Sequence, residues 1–469
     1  MKKKAFPLLI VLLIAPFFLW GILHILPTFD DWNTLSSPNF NTDYQQFFFR
    51  HGVVWRPLDA LMGYIVAINY HLFPTLNHIC IFIGHLGNTF LVYKLSEKLE
   101  FGNIPTLIAT LFFYLSPAML GTVLSVDSLN QTYSLFWGLM ALWMYIHCKS
   151  FKKYFFWILF TWIAVLSKEN GITWSIAIPV FAYIFHFTNK KELIKDICVG
   201  FGIAISYAAI RMAIPYYEII NNEYFTFSIQ NKLMDLFTLI AFTWVPADYV
   251  SIIHEPNRNL FLASLTTVLS IPFLYLLFIY NRRIWLDKVF WGLVFCILIV
   301  QSPHILTVIS IMHIYGSLAI AAIMVGYILH RIQQPKISII TFILFLTASI
   351  ITDIHHLDKS IETSQNGKKM AIEAIQKTGK PVQKTFTINI DNEIRKYSSF
   401  CVNPIDAFAD GQAVEYETGY QWPMEVSGTT ITQHEVNHID SIAQQAFRDG
   451  YECVWILHNE SIDVMFPNK

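Results

Sequence analysis

Two adjacent carboxylates, Asp30 and Asp31 in "HILPTFDDWNTLSS", lie a few residues past an apolar run long enough to enter a bilayer. A charge there is costly unless it reaches water or has a task. A carboxylate pair that reaches the membrane surface could meet a polar acceptor there. Arg56 in "VVWRPLDAL", Lys168 in "VLSKENGITW" and Arg211 in "RMAIPYYEIINNEYF" are cations that could meet a lipid headgroup, and Glu169 stands beside Lys168. Each has a plainer reading. Adjacent aspartates form turns, Arg56 before Pro57 can anchor at an interface, and Lys168 with Glu169 can cap a span as an ion pair. His78, His85 and Asn88 in "LNHICIFIGHLGNTFL" recur at helical spacing and share a face. Bonding between helices explains them better than a metal, because a third ligand is missing and Asn is a poor one.

The elements that must position these residues are membrane helices. With 54% hydrophobic residues, 16% aromatic and 14% charged over 469 positions, most of the chain needs a solvent other than water. The basic start "MKKK" and the apolar run after it read as a retained first helix, since no small-residue cleavage site follows. Further apolar windows lie at about 76–98, 103–124, 129–147, 154–168, 171–187, 195–215, 259–281, 288–306, 309–330 and 336–352. Windows 57–73 and 233–253 are ambiguous, and charge bias decides them. If neither crosses, the cytoplasmic loops hold 16 basic residues against six in the others before residue 353. The expected fold is therefore an α-helical polytopic membrane protein with about 11 transmembrane helices and outer-face juxtamembrane helices. Residues 1–352 form this module, and residues 353–469 form a small external α/β domain. In the latter, "DKSIETSQNGKKMAIEAIQKTG" and "VNHIDSIAQQAFRDG" read as helices and "KTFTINI" and "ECVWILH" as strands, while "DIHHLDK" reads as a linker.

On this topology Asp30, Asp31, Arg56, Asp127, Lys168, Glu169 and Arg211 all face the exterior, so charge gathers at one membrane surface. A formal net charge of −1 and the lack of nucleic-acid motifs exclude a globally charged partner surface and nucleic acid. Four of the six cysteines fall in or beside spans as small apolar residues, whereas Cys401 and Cys453 could pair in the external domain. No internal repeat is visible.

The ordered array "FDDW", "WRPLDALMGYIVAINYHLF", "LNHICIFIGHLGNTFLVY" and "LSKENGIT" resembles the membrane module of the GT-C class of glycosyltransferases. It is most similar to the transmembrane O-mannosyltransferases that carry tetratricopeptide repeats. The resemblance covers roughly residues 1–215; the repeat array is absent and the α/β domain takes its place. It implies a donor sugar on a polyprenyl phosphate and an inverting transfer. Asp30 would be the general base, and Asp31 would orient the acceptor or help bind a divalent metal ion. Arg56, Lys168 and Arg211 would steady the departing phosphate, and Glu169, His78 and Asn88 would position groups or meet the acceptor. The acceptor is a glycan, a lipid or a protein hydroxyl. The basic start and short loops suit a bacterial inner membrane with the α/β domain in the periplasm. Two other readings remain open at this point: a transporter or flippase for a polar or lipid-linked substrate, and an inactive envelope scaffold.

Overall fold

The computed structural model describes residues 6–28, 31, 50–51, 55–70, 72–125, 128–214, 216–218, 232, 239–240, 242–246, 283–306, 311–332, 334–380, 382–391, 413–414, 417, 425–458 and 460–467. Helices dominate. In chain order they are α1 (Phe6–Ile22), α2 (Pro57–Ile68), α3 (Leu76–Lys98), α4 (Asn103–Leu115), α5 (Leu120–Val123), α6 (Leu129–His147), α7 (Ser150–Ser167), α8 (Trp174–Ile184), α9 (Lys190–Ala213), α10 (Lys288–Gln301), α11 (Tyr315–Ile332) and α12 (Pro335–Thr378). Two short strands, β1 (Arg50–His51) and β2 (Tyr216–Glu218), pair in parallel beside them.

Local chemistry sets several of these boundaries. Pro57 opens α2, where its missing N–H costs nothing. Asn189 and Asp287 cap α9 and α10 by accepting from the backbone N–H of Glu192 and Val289. Gly379 ends α12 in the left-handed region, φ +67°. Helix contacts are close: a Cβ on Gly138 would stand 2.3 Å from the Trp174 ring, and one on Gly84 2.5 Å from Thr132. The second contact sets α3 against α6.

One end of the bundle is rich in lysine. Lys94 and Lys98 close α3, Lys149, Lys152 and Lys153 join α6 to α7, and Lys190, Lys191 and Lys195 open α9. Side chains tie that end together. Asp196 accepts from Tyr145, from Tyr154 at 2.7 Å and from Lys153 at 2.8 Å. Asp287 accepts from Tyr327 at 2.6 Å, and His330 bonds the Phe101 carbonyl at 2.9 Å.

Three helices are long and apolar enough to cross a membrane, Leu76–Lys98, Lys190–Ala213 and Met312–Ile332. The bent pair Asn103–Leu115 and Pro117–Val123 raises the number to four if it is one span. Eleven crossings are thus not met by length and apolarity among the described residues. The polar start of α6, "LNQT", and the two lysines in α7 dilute those helices, and the 259–281 window lies outside the described residues.

The C-terminal unit holds β3 (Lys384–Asp391), β4 (Glu425–Thr432), α13 (Ile439–Arg448), β5 (Cys453–Leu457) and β6 (Ile462–Met465) in the sheet order β4-β3-β5-β6. The first three strands are parallel and β6 is an antiparallel edge. Helix α13 carries the chain from β4 over to β5 and packs on one face around Ile388, Ile431, Ala443 and Val454. The last turns of α12 cover the other face, where Trp455 Nε1 donates to Thr378 Oγ1 at 3.0 Å. Strand β5 is buried throughout because it lies between two helical layers.

One expectation changes here, and two features are added. "DIHHLDK" is not a linker: α12 runs unbroken for 44 residues, because no proline interrupts it after Pro335. The boundary expected at residue 353 therefore falls inside one helix. Strands β4 and β6 were not foreseen, since "EVSGTTIT" carries an internal glycine and β6 spans four residues. Finally, Cys453 is a free, buried thiol 3.4 Å from Thr385 Oγ1 and is not paired with Cys401, which lies outside the described residues.

Candidate functional site

The end of the bundle opposite the lysines gathers charge from four separate segments. The turn Glu169–Thr173, between α7 and α8, presents three neighbours in different directions. Lys168 is 5% exposed and donates to Asn130 Oδ1 at 2.9 Å, and Asn130 donates to Asp59 Oδ2 at 3.1 Å. Glu169 accepts from Arg56 Nε at 2.7 Å and from the Trp55 N–H at 3.1 Å. Asn170 donates to Gln131 Oε1 at 3.2 Å and accepts from Ser134 Oγ at 3.3 Å. The extended residues just before α2, the first turns of α6 and this turn thereby form one polar patch at the ends of apolar helices.

Electrostatics hold the patch in a charged state. Burial alone would raise the Glu169 carboxyl, but the Arg56 guanidinium and the Trp55 amide outweigh it and hold it below the ordinary carboxylate range. Trp55 also stacks on Tyr207 of α9 at 5.9 Å. Glu169, Arg211 and Arg56 all act electrostatically on Tyr207, which puts Arg211 at the edge of the same patch.

Asp31 reaches this region from the other side. Its Oδ2 accepts from the Thr28 N–H at 3.0 Å and its Oδ1 from Ser125 Oγ at 3.1 Å, and the side chain is buried. Ser125 and Asn130 belong to the same short entry into α6, so one segment touches both Asp31 and Lys168. The loop beyond α1 is further tied by the Leu26 N–H, which donates to Ser364 Oγ of α12 at 3.1 Å. Asp30, like Asp127, lies outside the described residues.

Of the expected site residues, Asp31, Arg56, Lys168, Glu169 and Arg211 come together at this end. Glu169 engages Arg56, whereas Lys168 takes Asn130. Asn88 sits deeper, donating to the Thr132 carbonyl at 3.0 Å and to Tyr315 OH at 3.2 Å, and His85 bonds the same hydroxyl at 2.7 Å. These two tie α3 to α6 and α11, as the interhelical reading of that face expects. His78, in the first turn of α3, is wholly buried, and neither ring nitrogen has a hydrogen-bond partner among the described residues.

Sequence reasoning missed Asp59, Asn130, Asn170, Gln131 and, from a distant segment, His304. His304 Nε2 lies 3.4 Å from Asn170 Nδ2, and its ring stacks on His313 with centroids 4.0 Å apart and planes at 16°. The signal for Asp59 was present, three residues after Arg56, but it reads as an acidic first-turn residue of a helix. Among the described residues no three His, Cys, Asp or Glu side chains gather to hold a metal ion. A shallow groove of about 440 Å³ along the outer part of α12, lined by Leu26, Lys368, Lys369 and Ile372, does not include the patch.

No family model matches the chain, and no curated protein matches it. Among solved structures it is similar to the crystal structure of ArnT from Cupriavidus metallidurans bound to undecaprenyl phosphate, at 9% identity and a TM-score of 0.44, covering 96% of this chain and 92% of that one.

Proposed function

We propose that this chain is an integral-membrane glycosyltransferase of the GT-C class that moves a monosaccharide from a polyprenyl phosphate to an acceptor hydroxyl at the Asp31 end of the bundle. The observation that carries the reading is the joining of Arg56–Glu169, Lys168–Asn130–Asp59 and Asp31–Ser125 at the ends of apolar helices. A lipid phosphate arriving along apolar helices meets cations only at their ends, and Lys168, Arg56 and Arg211 are cations described there. The resemblance of "FDDW", "RPL" and "KENGIT" to that class points the same way.

The leaving group is a phosphate and is stable as an anion, so the reaction needs a base more than an acid. Asp31 has both carboxylate oxygens engaged and serves to shape its loop. Asp30 is the base, accepting the acceptor's proton as that oxygen attacks the anomeric carbon in line and inverts it. Glu169 holds Arg56 in position, and Asp59 orients Asn130 and through it Lys168. The Asp31 end faces the periplasm of a bacterial inner membrane, and the acceptor is a glycan, lipid or protein hydroxyl that reaches it from that side.

A transporter would need ionisable groups open to a path through the membrane depth. At the lysine-rich end Asp196 and Asp287 are closed by tyrosines and cations, so these two groups do not mark a path there. The test is transfer of labelled sugar from a polyprenyl phosphate donor by the purified protein in bilayers. Asp30→Asn should lower turnover by roughly 10²- to 10⁴-fold while leaving donor binding in place. Wild-type turnover in Asp30→Asn would remove the assigned base, and the absence of any transfer by the wild type with a panel of donor sugars would remove the reading.

A further inference from the structure

The lysine-rich segments "KSFKKY", from Lys149 into α7, and "KKELIKD", at the start of α9, lie side by side because Asp196 of α9 accepts from Lys153 and Tyr154 of α7. Lys153 is thereby spent on the fold. Its neighbours are not. Lys149, Lys152, Lys190, Lys191 and Lys195 are exposed, and none of the five is in an ion pair among the described residues. Lys195 Nζ lies 4.9 Å over the Tyr154 ring, which brings the basic side chains of α9 against those of α7. Glu192 is the one exposed acidic residue in the two segments, so positive charge is left in excess on this face.

A second feature starts among the same lysines. On α7, Phe151, Phe155 and Leu159 are exposed and recur every four residues, so they form one stripe, with Phe151 77% exposed and its ring 6.0 Å from that of Phe155. On α9, Ile194, Phe201 and Ile205 are exposed at spacings of seven and four and form another. Each stripe begins between two lysines, Phe151 between Lys149 and Lys152 and Ile194 between Lys191 and Lys195. A cationic rim above exposed apolar stripes fits a molecule that carries negative charge at one end and hydrocarbon at the other. Lysine stems lie along apolar surface while their ammonium groups reach outward to phosphate. A zwitterionic phospholipid has the chains, but its own cation already answers its phosphate. A free anion has the charge and no use for the stripes. We propose that this α7–α9 face is a binding site for an anionic glycerophospholipid, with the headgroup held by Lys149, Lys152, Lys191 and Lys195 and the acyl chains laid along the two stripes. The site lies at the end of the bundle opposite Lys168 and Arg56, so it rests on the chain being a membrane protein and not on sugar transfer.

The experiment places the full-length protein in nanodiscs holding equal amounts of phosphatidylglycerol and phosphatidylcholine and counts, by native mass spectrometry, the lipids that leave with it. The wild type should retain phosphatidylglycerol in excess. Lys152→Gln with Lys195→Gln should lower that excess by roughly fivefold for each lysine removed. These changes spare Lys153 and Asp196, so the unfolding curve should stay in place. Lys369→Gln with Lys380→Gln, which removes two exposed lysines of the C-terminal part, should leave the excess unchanged. Equal retention of the two lipids by the wild type, an excess that survives in the Lys152 and Lys195 variant, or an equal fall in both double variants overturns the site. Phe151→Ser keeps the charge and should lower the amount of phosphatidylglycerol retained; an unchanged amount overturns the acyl half of the proposal. In a parallel arm sn-glycerol 3-phosphate, the headgroup chemistry without chains, should not displace the retained lipid. Displacement at concentrations equal to that of the lipid would assign the lysines to a free anion and overturn the lipid site.

Discussion

The two ends of the helical bundle differ in how completely their buried ionisable groups are engaged. At the lysine-rich end every oxygen of Asp196 is used, by Tyr145, Tyr154 and Lys153, and the Lys153 ammonium also lies 4.0 Å over the Tyr145 ring. Asp287 is closed in the same manner by the α10 cap, Tyr327 and Arg331. At the Asp31 end His78 has two ring nitrogens without a hydrogen-bond partner, and Asp353 of α12 is wholly buried with neither oxygen bonded, among the described residues. A closed network fixes helices, because all its capacity is spent inside the protein. An open one retains capacity for something that is not protein. On the proposed function, one end is architecture and the other chemistry.

The sharpest way to break this comparison is to open the closed end. Asp196→Ala leaves the Lys153 ammonium and two tyrosine hydroxyls without their acceptor and should destabilise the protein by about 3–5 kcal/mol. Thermal unfolding in detergent measures it, and sugar transfer per folded molecule should stay near that of the wild type. A stable Asp196→Ala protein that has lost transfer would reverse the roles of the two ends. Overpacking at the α6–α8 contact is the next largest effect. Gly138→Ala drives a methyl into Trp174 and should cost about 1–3 kcal/mol, read by the same unfolding curve.

The Asp31 end is probed by pH. The Glu169 carboxyl is held below its ordinary value of about 4.3, so its pairing with Arg56 contributes stability that is complete above that value and is lost as pH falls through the lowered folded value. The wild type should therefore lose stability on the acid side of pH 4.3, and Glu169→Gln should flatten that part of the profile while lowering stability at neutral pH. An acid limb unchanged in Glu169→Gln would show that the pair is not what holds the turn. The smallest effect is expected at Ser125→Ala, which removes one of the two hydrogen bonds described for the Asp31 carboxylate and should cost about 1 kcal/mol. Its test is a modest drop in melting temperature together with lower transfer, because Asp31, the chain neighbour of the proposed base, loses one of its anchors.

How much of this was legible in the sequence follows from how far each signal travels along the chain. The helices and the α/β tail were readable because apolar runs and alternating strands are local patterns; α13, β3 and β5 fall where "VNHIDSIAQQAFRDG", "KTFTINI" and "ECVWILH" place them. The continuity of α12 was misread because "DIHHLDK" is polar, and polarity was taken for a break although no proline or glycine stands there. Arg56, Lys168 and Glu169 stood out as charges in apolar surroundings. Their partners did not. Asn130, Gln131 and Asn170 are ordinary polar residues near helix ends, and His304 is separated from Asn170 by 134 positions, so only the packing of α10 against α8 brings them together. The pairing of Glu169 with Arg56 and not with its chain neighbour Lys168 is a matter of backbone direction: consecutive side chains on a turn point apart.

The uninterrupted α12 gives the protein a mechanical property. A helix of 44 residues is roughly 66 Å long at 1.5 Å per residue. Its middle is pinned to the Asp31 loop through Ser364 and Leu26, and its last turn is pinned to the sheet through Thr378 and Trp455. It therefore works as a protractor as well as a strut. One residue inserted between Ser364 and Thr378 would lift the sheet by about 1.5 Å and swing it by about 100° around the helix axis, whereas seven would lift it by about 10 Å and return it close to its original bearing. The direction in which the sheet's exposed edge faces is thus written in the residue count of a helix segment that need not touch any substrate.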